Sequence, residues 1–192
     1  MSNIVAPTSS GNVVRTAGGF RARAGAVIVA DCSYSMSYVD KTKPRIEHLA
    51  QVLAYLLQQV RLQGIVAFNT VPYELPMGGS IMLPEPDGGT AIHLALDHVA
   101  RMQPLPRRAI VISDGEPNDD QLAIEAAKAL GKLGVPIDAH YVGPDNVACM
   151  DFMRRLSEAG APGGKWGKFD LADSARVAAE IRLAITDQRG AR

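Results

Sequence analysis

Asp31-Cys32-Ser33-Tyr34-Ser35-Met36 follows directly on the apolar run Ala26-Val27-Ile28-Val29-Ala30, which places one carboxylate and two hydroxyls where a buried strand ends. Two later segments add the same kind of oxygen. Gly88-Gly89-Thr90 brings a third hydroxyl, and Ile110-Val111-Ile112-Ser113-Asp114-Gly115 brings a second carboxylate to the end of another apolar run. These are hard oxygen donors, and no Cys or His stands at zinc-like spacing. The cations that suit them are Mg²⁺, Mn²⁺ or Ca²⁺ rather than a soft transition metal. Two carboxylates with three hydroxyls roughly neutralise a divalent ion and leave one position for an outside carboxylate.

At Asp31, Ser33, Ser35, Thr90 and Asp114 the chain resembles the von Willebrand factor type A (VWA) domain. The metal-ion-dependent adhesion site (MIDAS) of that family reads Asp-x-Ser-x-Ser, then a distant Thr, then an Asp. The resemblance covers roughly residues 25 to 187 and implies that Ser33, Ser35 and Thr90 coordinate the ion. Asp31 and Asp114 would bind directly or through water, and an Asp or Glu of a protein partner would complete the sphere. Loss of Asp31 or Asp114 should then weaken metal and partner together while leaving a folded domain. The alternative for Asp31 and the serines is a turn cap at a strand-to-helix junction.

Short apolar runs alternate with amphipathic stretches from Gly25 onward, the pattern of an α/β doubly wound, mostly parallel sheet with helices on both faces. Strands are expected at Ala26–Ala30, Gly64–Asn69, Ala109–Ser113, Pro136–Val142 and Lys168–Leu171. Val71–Leu75 follows its predecessor too closely for a crossover helix, so it should fold back as an antiparallel edge strand and complete a six-stranded sheet. Helices are expected from Pro44 to about Arg61, from Thr90 to about Met102, from Asn118 to Leu133, over Val147–Ala159 and over Asp173–Thr186. Asn118 with Gln121 looks like a cap-and-return pair. His93, Asp97 and His98 read as helix surface, and Trp166 as a ring at the sheet edge opposite the metal.

In such a sheet, ligands gather at the carboxyl ends of strands, where the winding reverses. The family resemblance implies a Rossmann-like VWA fold in which the strands ending at Asp31 and Asp114 are neighbours. Around that edge Tyr34, Met36, Tyr38, Glu116, Asn118 and Asp145 form a candidate partner rim. Packing under the first helix is the other reading of Tyr34, Met36 and Tyr38, and dipole-complementary capping that of Glu116.

Lys plus Arg equals Asp plus Glu at 20 each among 192 residues, which gives no electrostatic case for nucleic acid or an anionic membrane. A hydrophobic fraction of 47% supports one compact domain over 25–187, with a flexible arm at 1–24 and a short tail at 188–192. Cys32 and Cys149 make no disulfide framework, no signal-peptide pattern opens the chain, and a cytoplasmic protein is expected. The serines lack a nucleophile elbow, and Ser33 stands where a strand-end Asp nucleophile would need a second carboxylate, so an enzyme is not expected.

Two further readings stay open: a scaffold subunit whose metal is structural or regulatory, and a metal-dependent hydrolase. The resemblance also permits pairing with a ring-forming AAA+ ATPase of MoxR or chelatase type.

Overall fold

The computed structural model describes residues 25–77, 81–170 and 172–186, and the backbone of two short strands before them, β1 (Val13–Thr16) and β2 (Gly19–Ala22). These two strands pair as an antiparallel hairpin. Most of the expected arm at 1–24, and the tail at 188–192, lie outside the described residues.

β3 (Ala26–Asp31) is buried along its whole length, which is why its sequence is continuously apolar until Asp31. β8 (Arg108–Ser113) pairs with it in parallel, Val29 opposite Val111, and β6 (Leu62–Phe68) pairs on its other side, Val29 opposite Val66. Beyond β6 lies β7 (Pro72–Glu74), antiparallel and at the edge as its short approach requires. Beyond β8 lie β9 (Ile137–Val142) and β10 (Trp166–Phe169), both parallel, so the order is β10-β9-β8-β3-β6-β7. The chain winds outward from β3 through β6 and returns to wind the other way from β8. The reversal point is therefore the β3–β8 seam, and Asp31 and Asp114 stand at its carboxyl end.

Alternation along the strands divides the core. Ala26, Ile28, Ala30, Ile110 and Ile112 face α1 (Arg45–Gln59) and α5 (Ser174–Thr186), whose Leu49, Leu53, Leu56, Val177 and Ile181 cover them. Val27, Val29, Val66, Phe68 and Val111 face α2 (Ile92–Arg101), α3 (Asp120–Lys132) and α4 (Val147–Ala159). Burial of these side chains at about 25 cal/mol per Å² is the main stabilising contribution. Among the described residues no helix is long and apolar enough to cross a membrane.

Most element ends shift by one or two residues from the expected boundaries, and the segment before α1 and the start of β10 show why. Pro44 caps α1 instead of opening its first turn, so Arg45 is the first helical residue. A two-residue ladder of β4 (Val39–Asp40) and β5 (Lys43–Pro44) precedes it, its turn made by Lys41 at φ 63°. β10 starts two residues early, at Trp166, because Gly164 lets the chain press against β9: a Cβ there would lie 2.4 Å from the Ile137 carbonyl. Trp166 does lie at the strand end opposite Asp31, with about half its surface (46%) exposed.

His140 on β9 stacks on Phe169, ring centroids 3.9 Å apart. Burial, with the nearby Arg108 charge, pushes its pKa down to about 4. Below its ordinary pKa the unfolded chain binds a proton that the native state refuses, so stability falls as pH drops from about 6.5 towards about 4. Urea unfolding should show roughly 2 kcal/mol lost through this group between about pH 7.5 and about pH 5. His140→Phe should remove that part of the pH dependence.

Candidate metal centre

Asp31 is fully buried, and both carboxylate oxygens are held: Oδ1 accepts the Ser33 N–H at 2.8 Å, and Oδ2 accepts the Ser113 hydroxyl at 2.5 Å. Burial first, and the Asp114 charge second, push its pKa up to about 7. The chain then enters a 3-10 turn, Tyr34–Ser37, which brings the Ser33 and Ser35 hydroxyls to 3.2 Å from each other.

Thr90 reaches the same place by backbone ties. The Tyr34 N–H donates to the Gly88 carbonyl at 3.2 Å, and the Asp87 N–H to the Cys32 carbonyl at 3.1 Å, which lays the loop before Thr90 along the Asp31 turn. On the other side the Thr90 N–H donates to Asn118 Oδ1 at 2.9 Å, and the Asn118 N–H returns a bond to the Thr90 carbonyl at 3.0 Å. The glycines before Thr90 permit this: a Cβ on Gly89 would fall 2.5 Å from Asn118 Oδ1. Asp114 follows β8 and is buried, with its Oδ1 lacking any hydrogen-bond partner among the described residues. Gly115, at φ 72°, turns the chain away immediately after it. Hydrogen bonds and the β3–β8 pairing thus bring the loops carrying all five expected donors together at one end of the sheet.

One participant was not expected. Arg45 is buried, and its guanidinium donates to Asp114 Oδ2 at 3.2 Å, to Asp40 Oδ2 at 3.0 Å and to the Ser35 carbonyl at 3.4 Å, under the Tyr38 ring at 5.6 Å. The sequence carries a signal for it. A cation at the first position of a helix opposes the macrodipole, so an arginine directly after a capping proline needs local carboxylates.

The expected rim needs one correction and the expected α3 cap another. Met36 is fully buried in the layer with Leu49 and Leu53, because the 3-10 turn rotates it inward under α1. Asn118 does not cap α3: Asp119 does, accepting the Leu122 N–H at 2.9 Å, while the Asn118 amide is spent on Thr90. Tyr34 and Tyr38 are exposed at 60% and 52% and meet edge to face. Glu116 is exposed, as is Asp145, which pairs with Lys168 at 2.5 Å. Val39, Val71 and Val147, exposed at 64%, 55% and 80%, belong to segments that follow the carboxyl ends of β3, β6 and β9, and sequence reasoning missed them.

The donor set fits a hard divalent cation. Among the described residues no group of three or more His, Cys, Asp and Glu could hold an ion. The site therefore depends on hydroxyls supplementing two carboxylates, and the orphaned Asp114 Oδ1 is a buried acceptor without a donor. Cys32 does not compete: burial pushes its thiol up to about 12. Cys149 is also buried and free, its thiol raised chiefly by burial. Ellman's reagent should accordingly find almost no fast thiol in the native protein and both cysteines after denaturation.

No protein-family model and no curated protein sequence matches the chain. Solved structures do. The SpRpn10 VWA domain superposes with a TM-score of 0.59 at 16% identity, covering 79% of this chain and 93% of that one. The fold is that of a von Willebrand factor type A domain. The manganese-loaded TRAP protein of Plasmodium vivax matches with a TM-score of 0.59 at 19% identity, over 81% of this chain and 71% of that one. Proximal thread matrix protein 1 of the mussel byssus, with a zinc-occupied MIDAS motif, matches at 0.63 and 16% identity, over 85% of this VWA-fold chain and 46% of its own.

Proposed function

We propose that this VWA-fold chain is a protein-binding module that grips an acidic side chain of its partner through a divalent cation. Ser33, Ser35 and Thr90 would hold the ion with Asp31 and Asp114. Mg²⁺ is the expected occupant, with Mn²⁺ or Ca²⁺ as substitutes for the same hard-oxygen set. When bound, the cation supplies a Lewis-acid charge to an outside carboxylate. The chain's own residues do the rest: the Asp31 turn fixes the serines, Asn118 fixes Thr90, and the two exposed tyrosines offer apolar area with a polar tip.

The observation that carries this reading is a group of exposed apolar side chains at the metal edge, although others, such as Tyr55, Leu122 and Trp166, are exposed elsewhere. Tyr34, Tyr38, Val39, Val71 and Val147 all belong to segments following strand carboxyl ends, the same end as Asp31 and Asp114. Exposed apolar surface rimmed by polar groups marks an interaction site. Two metal-loaded structures of the same fold support the choice of a cation. Catalysis is not proposed, since the Ser33 and Ser35 hydroxyls bond each other and not a histidine base. Two free, buried thiols fit the reducing cytoplasm. A ring-forming AAA+ ATPase remains the partner class the sequence resemblance suggests.

Capture of partners from native lysate in Mg²⁺ and in EDTA, with Asp114→Asn alongside, tests the proposal. A partner held in Mg²⁺ and lost in both controls is expected. Retention in both controls would move the interface off the metal edge and favour the scaffold reading.

A further inference from the structure

Arg45 is an expensive residue where it stands. It is buried, it opens α1 against the helix dipole, and Gly143 packs close against it, a Cβ there lying 3.3 Å from the guanidinium carbon. In return it binds one oxygen of Asp114, a candidate cation ligand, and the other oxygen has no partner among the described residues.

We infer that Arg45 is a built-in counter-cation that sets the ion affinity of the site. It neutralises part of the ligand charge, so a divalent ion is held more weakly than two free carboxylates would hold it and keeps more of its own charge for an outside carboxylate. Asp40 tunes the effect from the far side: it shares the guanidinium at 3.0 Å and is partly exposed, so it diverts part of the arginine's charge from Asp114. The inference rests on the cation reading proposed above.

The two neighbours give changes of opposite sign. Arg45→Gln keeps a hydrogen-bonding side chain and removes the charge; it should tighten Mn²⁺ binding roughly tenfold or more, given the strength of a unit charge at this range even in a partly screened site. Asp40→Asn removes the second carboxylate charge on the guanidinium, leaving Asp114 its one anionic partner among the described residues, and should weaken Mn²⁺ binding several-fold. Both can be read by electron paramagnetic resonance titration of Mn²⁺ on the whole chain, with thermal unfolding of each apo variant as a control for folding. Unchanged or weaker binding by a folded Arg45→Gln variant overturns the inference, as does tighter or unchanged binding by Asp40→Asn. If Arg45→Gln fails to fold, the sign of the Asp40→Asn change decides. Wild-type protein that binds no Mn²⁺ overturns the cation site itself, and this inference with it.

Discussion

Asp114→Asn should lower divalent-cation affinity by roughly 100-fold or more, beyond the 10- to 100-fold that loss of an outer partner costs a metal site. The buried oxygen of Asp114 that has no donor among the described residues is the reason: the proposed site needs its charge, and an amide there carries none. Asparagine is the right substitution because its carbonyl still accepts from Arg45, so the hydrogen bond at 3.2 Å has a successor. Alanine is the poorer test. It leaves a buried guanidinium with Asp40 and the Ser35 carbonyl, and breaking a buried pair on one side costs about 3–5 kcal/mol, so lost binding would be confounded with lost stability. Mn²⁺ titration checks the affinity, and urea unfolding without metal should place Asp114→Asn close to wild type.

A second large effect lies at the opposite end of the sheet. Asp138 is completely buried on β9 and pairs with Arg108, which also donates to the Gly163 carbonyl at 3.2 Å. Arg108→Ala should cost about 3–5 kcal/mol near neutral pH, or roughly 10 °C in melting temperature for a chain of this size. Among the described residues only the Lys165 N–H, at 2.9 Å, would then still serve the carboxylate. The pH dependence has a fixed sign. Burial already raises the Asp138 pKa despite Arg108, so the native state holds a proton that the unfolded chain has released, and stability falls as pH rises through the folded pKa. Without Arg108 that rise grows, so the cost of the substitution should be larger at about pH 8 than at about pH 5. Replacing both Arg108 and Asp138 by leucine should recover most of the loss, because a buried pair exchanged for apolar volume is often neutral.

The parts of this molecule legible in the sequence are those fixed by local pattern. Val27 to Ala30 and Ile110 to Ile112 read as buried strands because both faces are covered, and the short gap before Pro72 forced an antiparallel edge. Asp31, Ser33, Ser35, Thr90 and Asp114 were picked out by resemblance, and the β3–β8 pairing places the two aspartates on neighbouring strand ends. What escaped depends on tertiary choice. Asn118 and Asp119 are both good caps, and sequence cannot say which one Thr90 will claim. Met36 lies one residue from half-buried Ser37 and two from exposed Tyr34, and only the 3-10 geometry turns it inward. Val39, Val71 and Val147 are isolated apolar residues with no period to betray that they share an edge. Arg45 alone left a readable trace, a cation on the wrong end of a helix.

The most direct test is a crystal structure of the chain grown with Mn²⁺ and measured for manganese anomalous scattering. The expected result is one strong peak among the hydroxyls of Ser33, Ser35 and Thr90, adjacent to Asp114. No peak at that position, or one held by other side chains, would contradict the account.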